Sequence, residues 1–398
     1  MNEPLPRARE WARTMHGHGD DVVVAHRDSA ARVMPYPPRR REEREELERI
    51  SLNPAATFAS GAGQREREEE PCEFRTCFER DRDRIVHSAS FRRLAGKTQV
   101  VVYPTDHQRT RLTHAIEVAQ CAVAMARGIG ANPALTDAMA LGHDCGHGPG
   151  GHASEDAFDA FLPEGYDHGP WGADVVLKGL NLTSQTLDGI RNHSWSRPAP
   201  ATLEGEIVSW ADRIAYCAHD LEDAIAAGIV TAADLPRVVT EVVGTARRVQ
   251  LARFIGAVIE TTMATGTVGM DPLTAEALGE LRRFNYERIY TRPESVAQSR
   301  TVVEVLRGLV EYFLEHPGQL PAEYRTEDAV RGAVTYVGGM TDRFAFDHAE
   351  RLLGWDRALL PRGIGRGAGE AVDRDGCDVC HAGTVIAAPG PGPGRWRS

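Results

Sequence analysis

Four side chains far apart in the chain have the types that hold a divalent metal ion. His143 and Asp144 are adjacent in LGHDCGHGPGGHASE, residues 141–155. A lone His-Asp pair is common by chance; here it has company. His114 lies in RLTHAIEVAQ and Asp212 in SWADRIAYCAHDLEDA. Two neutral imidazoles and two carboxylates bring a charge of minus two to one cation. A mixed set of this kind suits Mn, Fe, Mg, Co or Zn and leaves positions open for water and phosphate oxygens. An ion held there would polarise a phosphoryl oxygen or acidify a bound water. His152 and Glu155, three residues apart after the glycine-rich turn GHGPGG, form a second set. A carboxylate beside an imidazole orients the ring and suits it to proton transfer near neutral pH.

Positioning these groups is a task for helices. Leu203, Ile207, Trp210, Ala211, Ile214, Ala218, Leu221 and Ile225 recur every three or four residues, which predicts an amphipathic helix over 203–225. Its apolar stripe is thereby used, and Asp212, Tyr216 and Asp220 fall four apart on another, with His219 on the same side. Leu112, Ile116, Ala119 and Val123 predict a helix over 112–129 that carries His114. Arg111 sits one turn before His114, beside the expected ion. His143 and Asp144 are expected at a helix end. Further helices are predicted over 275–290, 295–315 and 327–348. QVVVY (99–103) is the one tempting strand, so the fold class is all-α.

A phosphate-rich substrate also needs cations. Between Arg75 and Arg111 stand nine basic residues, Arg75, Arg80, Arg82, Arg84, Arg92, Arg93, Lys97, Arg109 and Arg111, against four acids, a local balance of +5 in a chain of net charge -11. Arginine forks suit phosphate oxygens. The same stretch could bind single-stranded nucleic acid weakly, although the whole molecule is too acidic for general adhesion to nucleic acid or anionic membranes.

The remainder bounds the answer. With 398 residues, 42% hydrophobic and 26% charged, the chain has ordinary globular composition and room for a sizeable core. No run approaches the roughly 18 apolar residues of a bilayer span. No apolar segment marks the N-terminus as a secretory signal, and seven scattered cysteines argue for a reducing compartment, so a cytoplasmic location is expected. Residues 1–32 read as a loose tail, 39–50 as an exposed charged helix, and 361–398 as a Gly- and Pro-rich disordered tail. Cys377, Cys380 and His381 match a haem-attachment spacing formally, but that chemistry needs export.

The motifs RDRDRIVHSASFRRLAGKTQV, RTRLTHAIEVAQ, LGHDCGHGPGGHASE, LNLTSQTLDGI, WADRIAYCAHDLEDA and YVGGMTDRFAFD, in that order over residues 70–350, resemble the deoxyguanosinetriphosphate triphosphohydrolase-like proteins of the HD superfamily. The resemblance implies a helical HD domain at 71–355, between an N-terminal tail and charged helix (1–70) and a C-terminal tail (356–398). It implies hydrolysis of dNTPs to deoxynucleoside and inorganic triphosphate. It assigns the metal to His114, His143, Asp144 and Asp212. His152 would act near the α-phosphorus and the leaving deoxyribose oxygen, with Glu155 as its partner. His147 and His168 would contact phosphate, although YDHGPWGADVV departs from the family pattern after His168. Gln99 would contact the sugar 3′-hydroxyl; Arg213, Tyr216 and Asp220 would contact phosphate and sugar. Gly148 and Gly150 replace bulkier residues and are expected to loosen the turn before His152. Family members are often homo-oligomers with nucleotide effector sites. The rival readings are an HD phosphohydrolase for another nucleotide and a nucleotide-binding regulator.

Overall fold

The computed structural model describes residues 5–19, 21–100 and 108–361. Among them there is no strand; the chain is all-α, with helices α1 (Pro6–Thr14), α2 (Arg41–Ser51), α3 (Cys77–His87), α4 (Ala89–Arg93), α5 (Arg111–Ile129), α6 (Pro133–Gly142), α7 (His152–Phe158) and α8 (His168–Trp171). They are followed by α9 (Ser184–Asn192), α10 (Leu203–Ala226), α11 (Arg237–Val242), α12 (Arg247–Thr265), α13 (Pro272–Asn285), α14 (Pro293–Glu315), α15 (Ala329–Gly338) and α16 (Asp342–Leu353).

The helix ends follow local chemistry. Thr76 and Glu79 cap α3 reciprocally, the Thr76 amide donating to Glu79 at 2.9 Å. Asn132 accepts from the amides of Ala134 and Leu135 and Pro133 opens α6. Gly130, at φ +83°, ends α5.

Two apolar clusters form the core. One gathers buried residues of α3, α5, α6, α9, α10, α12 and α13, including Met125, Leu135, Ile214 and Phe254. The other gathers α7, α14, α15 and α16 around Phe158, Leu306, Val337 and Phe346. Helix α5 packs on α6 and α10, and α7 on α14, so residues of both clusters meet along one cleft.

Several expectations change. Residues 6–14 form a helix, though none of its residues is buried. The charged segment is helix α2 without a buried residue, as expected of it. The packed body begins well before residue 71: Ala56 and Ala59 are buried, Thr57 donates its amide to Glu204 at 3.0 Å, and Arg65 pairs with buried Asp81 at 2.6 Å. The stretch 327–348 is two helices, because the chain breaks at Gly339 and Met340 and Thr341 caps a new one. Thr98 makes only an isolated bridge to Thr110; the rest of QVVVY from residue 101, like Cys377, Cys380 and His381, lies outside the described residues.

Candidate active site

The four expected metal donors converge. His114 projects from the first turn of α5 and Asp212 from the middle of α10, with His114 Nε2 3.1 Å from Asp212 Oδ1. His143 and Asp144 follow the last residue of α6, at the helix end foreseen for them. His143 Nδ1 donates to the Ala140 carbonyl at 2.7 Å, which turns Nε2 inward. Nε2 lies 3.4 Å from Asp144 Oδ1 and 3.7 Å from Asp212 Oδ1. It is fully buried and has no hydrogen-bond partner among the described residues, an arrangement that costs stability unless something positive sits there. His114, His143 and Asp212 offer donor atoms within 4.8 Å of one another, and so do His143, Asp144 and His193. Two buried imidazoles, His143 with its outer nitrogen fixed by a carbonyl, beside two carboxylates form a cluster that could hold a divalent ion.

Arg111 sets the local field. Its Nη1 lies 2.7 Å from Asp144 Oδ2, both side chains buried. Burial alone would raise the Asp144 carboxyl; Arg111 overrides it and holds the group well below the usual range. Asp212 is likewise pulled down against its burial by His114. Burial and then the Arg111 charge keep His147 neutral, well below the ordinary imidazole value.

Beside this cluster Glu155 bridges two histidines. Its Oε2 accepts from His152 Nδ1 at 2.8 Å and its Oε1 from His168 Nδ1 at 2.7 Å. Burial would raise Glu155, but His152 and then His168 lower it far below its usual value, so it stays ionised. His152 is 74% exposed and lines the cleft, and among the described residues its hydrogen bond is made through Nδ1. The turn before it is pinned rather than loosened. Gly150 and Gly151 have φ +72° and +64°, and a Cβ at Gly150 would lie 2.4 Å from Val302 Cγ1. Gly150 donates its amide to Asp342 at 2.9 Å, and Gly148 its amide to Ser154 Oγ at 3.0 Å. Asp342 also accepts from the Thr98 amide and hydroxyl, beside Gln99.

His114, Asp144, Asp212, Arg111, His147, His152, Glu155, His168 and His193 all line one cleft of about 590 Å³; His143 lies behind it. Its further walls include Gln99, whose Oε1 is buried without a partner among the described residues, and Arg213, stacked 3.4 Å above the Trp195 ring centre. The Tyr216 hydroxyl accepts from Arg282 Nε at 2.9 Å. Asp220 accepts from the Tyr290 hydroxyl at 2.6 Å, and burial lifts its carboxyl to about 7.

The structure departs from three expectations. His219 turns away from the cleft toward Glu117, at 3.3 Å. His168 reaches the cleft, but both its nitrogens face protein partners, Glu155 and His193, so neither is free for phosphate. Of the nine basic residues only Arg111 lines the cleft. Arg75 and Arg82 pair with Asp83, Arg80 and Arg84 with Glu69, and Arg109 with Glu117, Glu222 and Asp223. Lys97 is buried and donates to the carbonyls of His147 and Gly338. Trp195, Arg282, Tyr290 and His193 escaped the sequence reading. None lies in a periodic run with a named donor, and only GIRNHSW offered a hint.

A family model for the HD domain matches residues 111–217 and one for the phosphohydrolase-associated domain matches residues 268–351. A deoxyguanosinetriphosphate triphosphohydrolase-like protein of Caldanaerobacter subterraneus subsp. tengcongensis is 40% identical over 332 residues, 81% of this chain and 96% of the relative. One of Clostridium perfringens is 38% identical over 332 residues, 78% of this chain and 97% of the relative. A solved phosphohydrolase of Bacteroides thetaiotaomicron has 19% identity and a TM-score of 0.43 over 67% of either chain.

Proposed function

The chain belongs to the family of deoxyguanosinetriphosphate triphosphohydrolase-like proteins, and on that premise we propose that it hydrolyses deoxynucleoside triphosphates to deoxynucleoside and inorganic triphosphate. The observation that carries the reading is the meeting, in one cleft, of the His/Asp cluster, the guanidinium of Arg111 and the His152–Glu155 pair. The cleft volume is in the range of small-molecule sites.

His114, His143, Asp144 and Asp212 would hold a divalent ion, which supplies phosphoryl polarisation and an acidified water. The chain's own groups account for the rest. Arg111, fixed by Asp144, presents positive charge to the phosphates. Arg213 and Arg282 add charge at the far wall, where Gln99, Tyr216 and Asp220 offer hydrogen bonds to the sugar. Glu155 holds the Nδ1 proton of His152, so His152 Nε2 is the atom that carries a proton between water and the leaving 5′-oxygen of the deoxyribose. Ionised Glu155 stabilises the imidazolium that forms when Nε2 is protonated.

The test is incubation of the chain with each dNTP and Mn²⁺ or Mg²⁺, followed by chromatography. Deoxynucleoside and intact triphosphate are expected in equal amounts. Release of orthophosphate or pyrophosphate in their place would assign the cleft to a different phosphohydrolase reaction.

A further inference from the structure

Two arginines of the cleft are held by different forces. Arg111 is fixed by the Asp144 carboxylate. Arg213 has no ion pair among the described residues; its guanidinium lies 3.4 Å above the centre of the Trp195 ring. The ring itself is anchored. Trp195 stands in the connection between α9 and α10, its Nε1 donates to the Ser209 carbonyl at 3.0 Å, and Trp210 packs against it edge-on with ring centres 4.8 Å apart. Ser209, Trp210 and Arg213 all belong to α10, so one helix fixes both the ring and the cation it carries. A carboxylate in the place of Trp195 would hold the guanidinium but cancel its charge and occupy its donors. An aromatic face attracts the cation through the ring quadrupole and leaves the in-plane N–H donors free. The charge needs such support. Burial weighs against it, and the like charge of Arg282 on the same wall adds to that.

We propose that Trp195 is a positioning residue: its indole face aims Arg213 at the phosphates of the substrate and keeps the whole of its charge available to them. The inference rests on reading the cleft as a phosphate site. Trp195 is 46% exposed and lines the cleft, so the rival role is to stack the nucleobase itself. The guanidinium already covers one face of the ring, and Trp210 meets it edge-on. The two roles part company on a ligand that has phosphates and no base. A platform for Arg213 matters to its binding; a stacking partner for the base does not.

Inorganic tripolyphosphate is that ligand. It is titrated calorimetrically into the full chain in excess Mn²⁺, and likewise into Trp195→Leu, Arg213→Ala and the double variant, each with its unfolding midpoint recorded. Trp195→Leu is expected to bind about 5- to 30-fold more weakly, the range of one cation–π contact. On the Arg213→Ala background the same substitution should cost nothing further, because it acts only through the guanidinium. Trp195→Phe keeps a ring face and should recover most of the loss. Tripolyphosphate should also shift the tryptophan emission of the unaltered chain and not that of Trp195→Phe, since an indole under a guanidinium senses the anion that the guanidinium binds. Undiminished affinity in Trp195→Leu, losses that add in the double variant, or a Trp195→Phe as weak as Trp195→Leu would each overturn the inference. So would an emission unmoved in the unaltered chain or moved equally in Trp195→Phe, and this comparison decides should Trp195→Leu fail to fold. An unaltered chain that binds no tripolyphosphate removes the phosphate reading of the cleft as well. Binding indifferent to both Arg213→Ala and Trp195→Leu removes this inference alone.

Discussion

At the scale of single residues the account turns on charges taken out of water. Asp144 and Arg111 are buried against each other, and removing one leaves the other uncompensated. Asp144→Ala is therefore expected to abolish both bound metal and turnover and to destabilise the fold by about 3–5 kcal/mol, read by denaturant titration. His143→Ala is expected to lose metal and turnover with less damage, since it removes a neutral ring. His152 is largely exposed, so His152→Ala should keep its unfolding midpoint while kcat falls by roughly 10²–10⁴-fold; an unchanged kcat would remove its proton-carrying role. Asp220 supplies a pH dependence. Burial raises its carboxyl to about 7, so between pH 4 and 7 the folded state binds the proton that the unfolded state has released. Asp220 thus destabilises the fold progressively as pH rises through that window. Asp220→Asn should be more stable than the parent at pH 8, by on the order of a few kcal/mol in denaturant titration, with the gap closing near pH 4. Tyr216→Ala tests whether this ring disfavours a 2′-hydroxyl: the preference for dGTP over GTP should shrink, and an unchanged ratio of kcat/KM would retire the idea.

At the scale of helices, what could be read in advance was what repeats. The three-and-four spacing from Leu203 to Ile225 located α10 and with it Asp212, Tyr216 and Asp220 on a shared wall. The same spacing located α5, His114 and Arg111. His219 was misjudged because two faces of α10 are buried and a one-dimensional pattern does not say which neighbour each face meets. The arginines of 75–109 looked like a phosphate platform because their partners, Glu69, Glu117, Glu222 and Asp223, are distant in sequence or on the next helix. The break at Gly339–Thr341 hid inside a periodic run, yet it matters: it frees Asp342 to clamp Thr98 and Gly150 from the C-terminal helices. Asp342→Ala should loosen the turn bearing His152, with kcat falling and KM for dGTP little changed. A loss confined to KM would show that the clamp serves binding instead.

For the whole molecule the cleft lies where two apolar clusters meet, and metal binding should join them energetically. Mn²⁺ at about one hundred times its dissociation constant adds roughly 2.7 kcal/mol, so a chelator should lower the unfolding midpoint and Mn²⁺ should restore it. Among the described residues no helix is long and apolar enough to cross a membrane, and most of the basic stretch is committed to internal pairs. The most direct test of the central claim is turnover of dGTP in ¹⁸O-labelled water, with the products weighed by mass spectrometry. Attack at the α-phosphorus predicts one ¹⁸O in the inorganic triphosphate and none in deoxyguanosine. Label in deoxyguanosine, or in orthophosphate released without triphosphate, would contradict it.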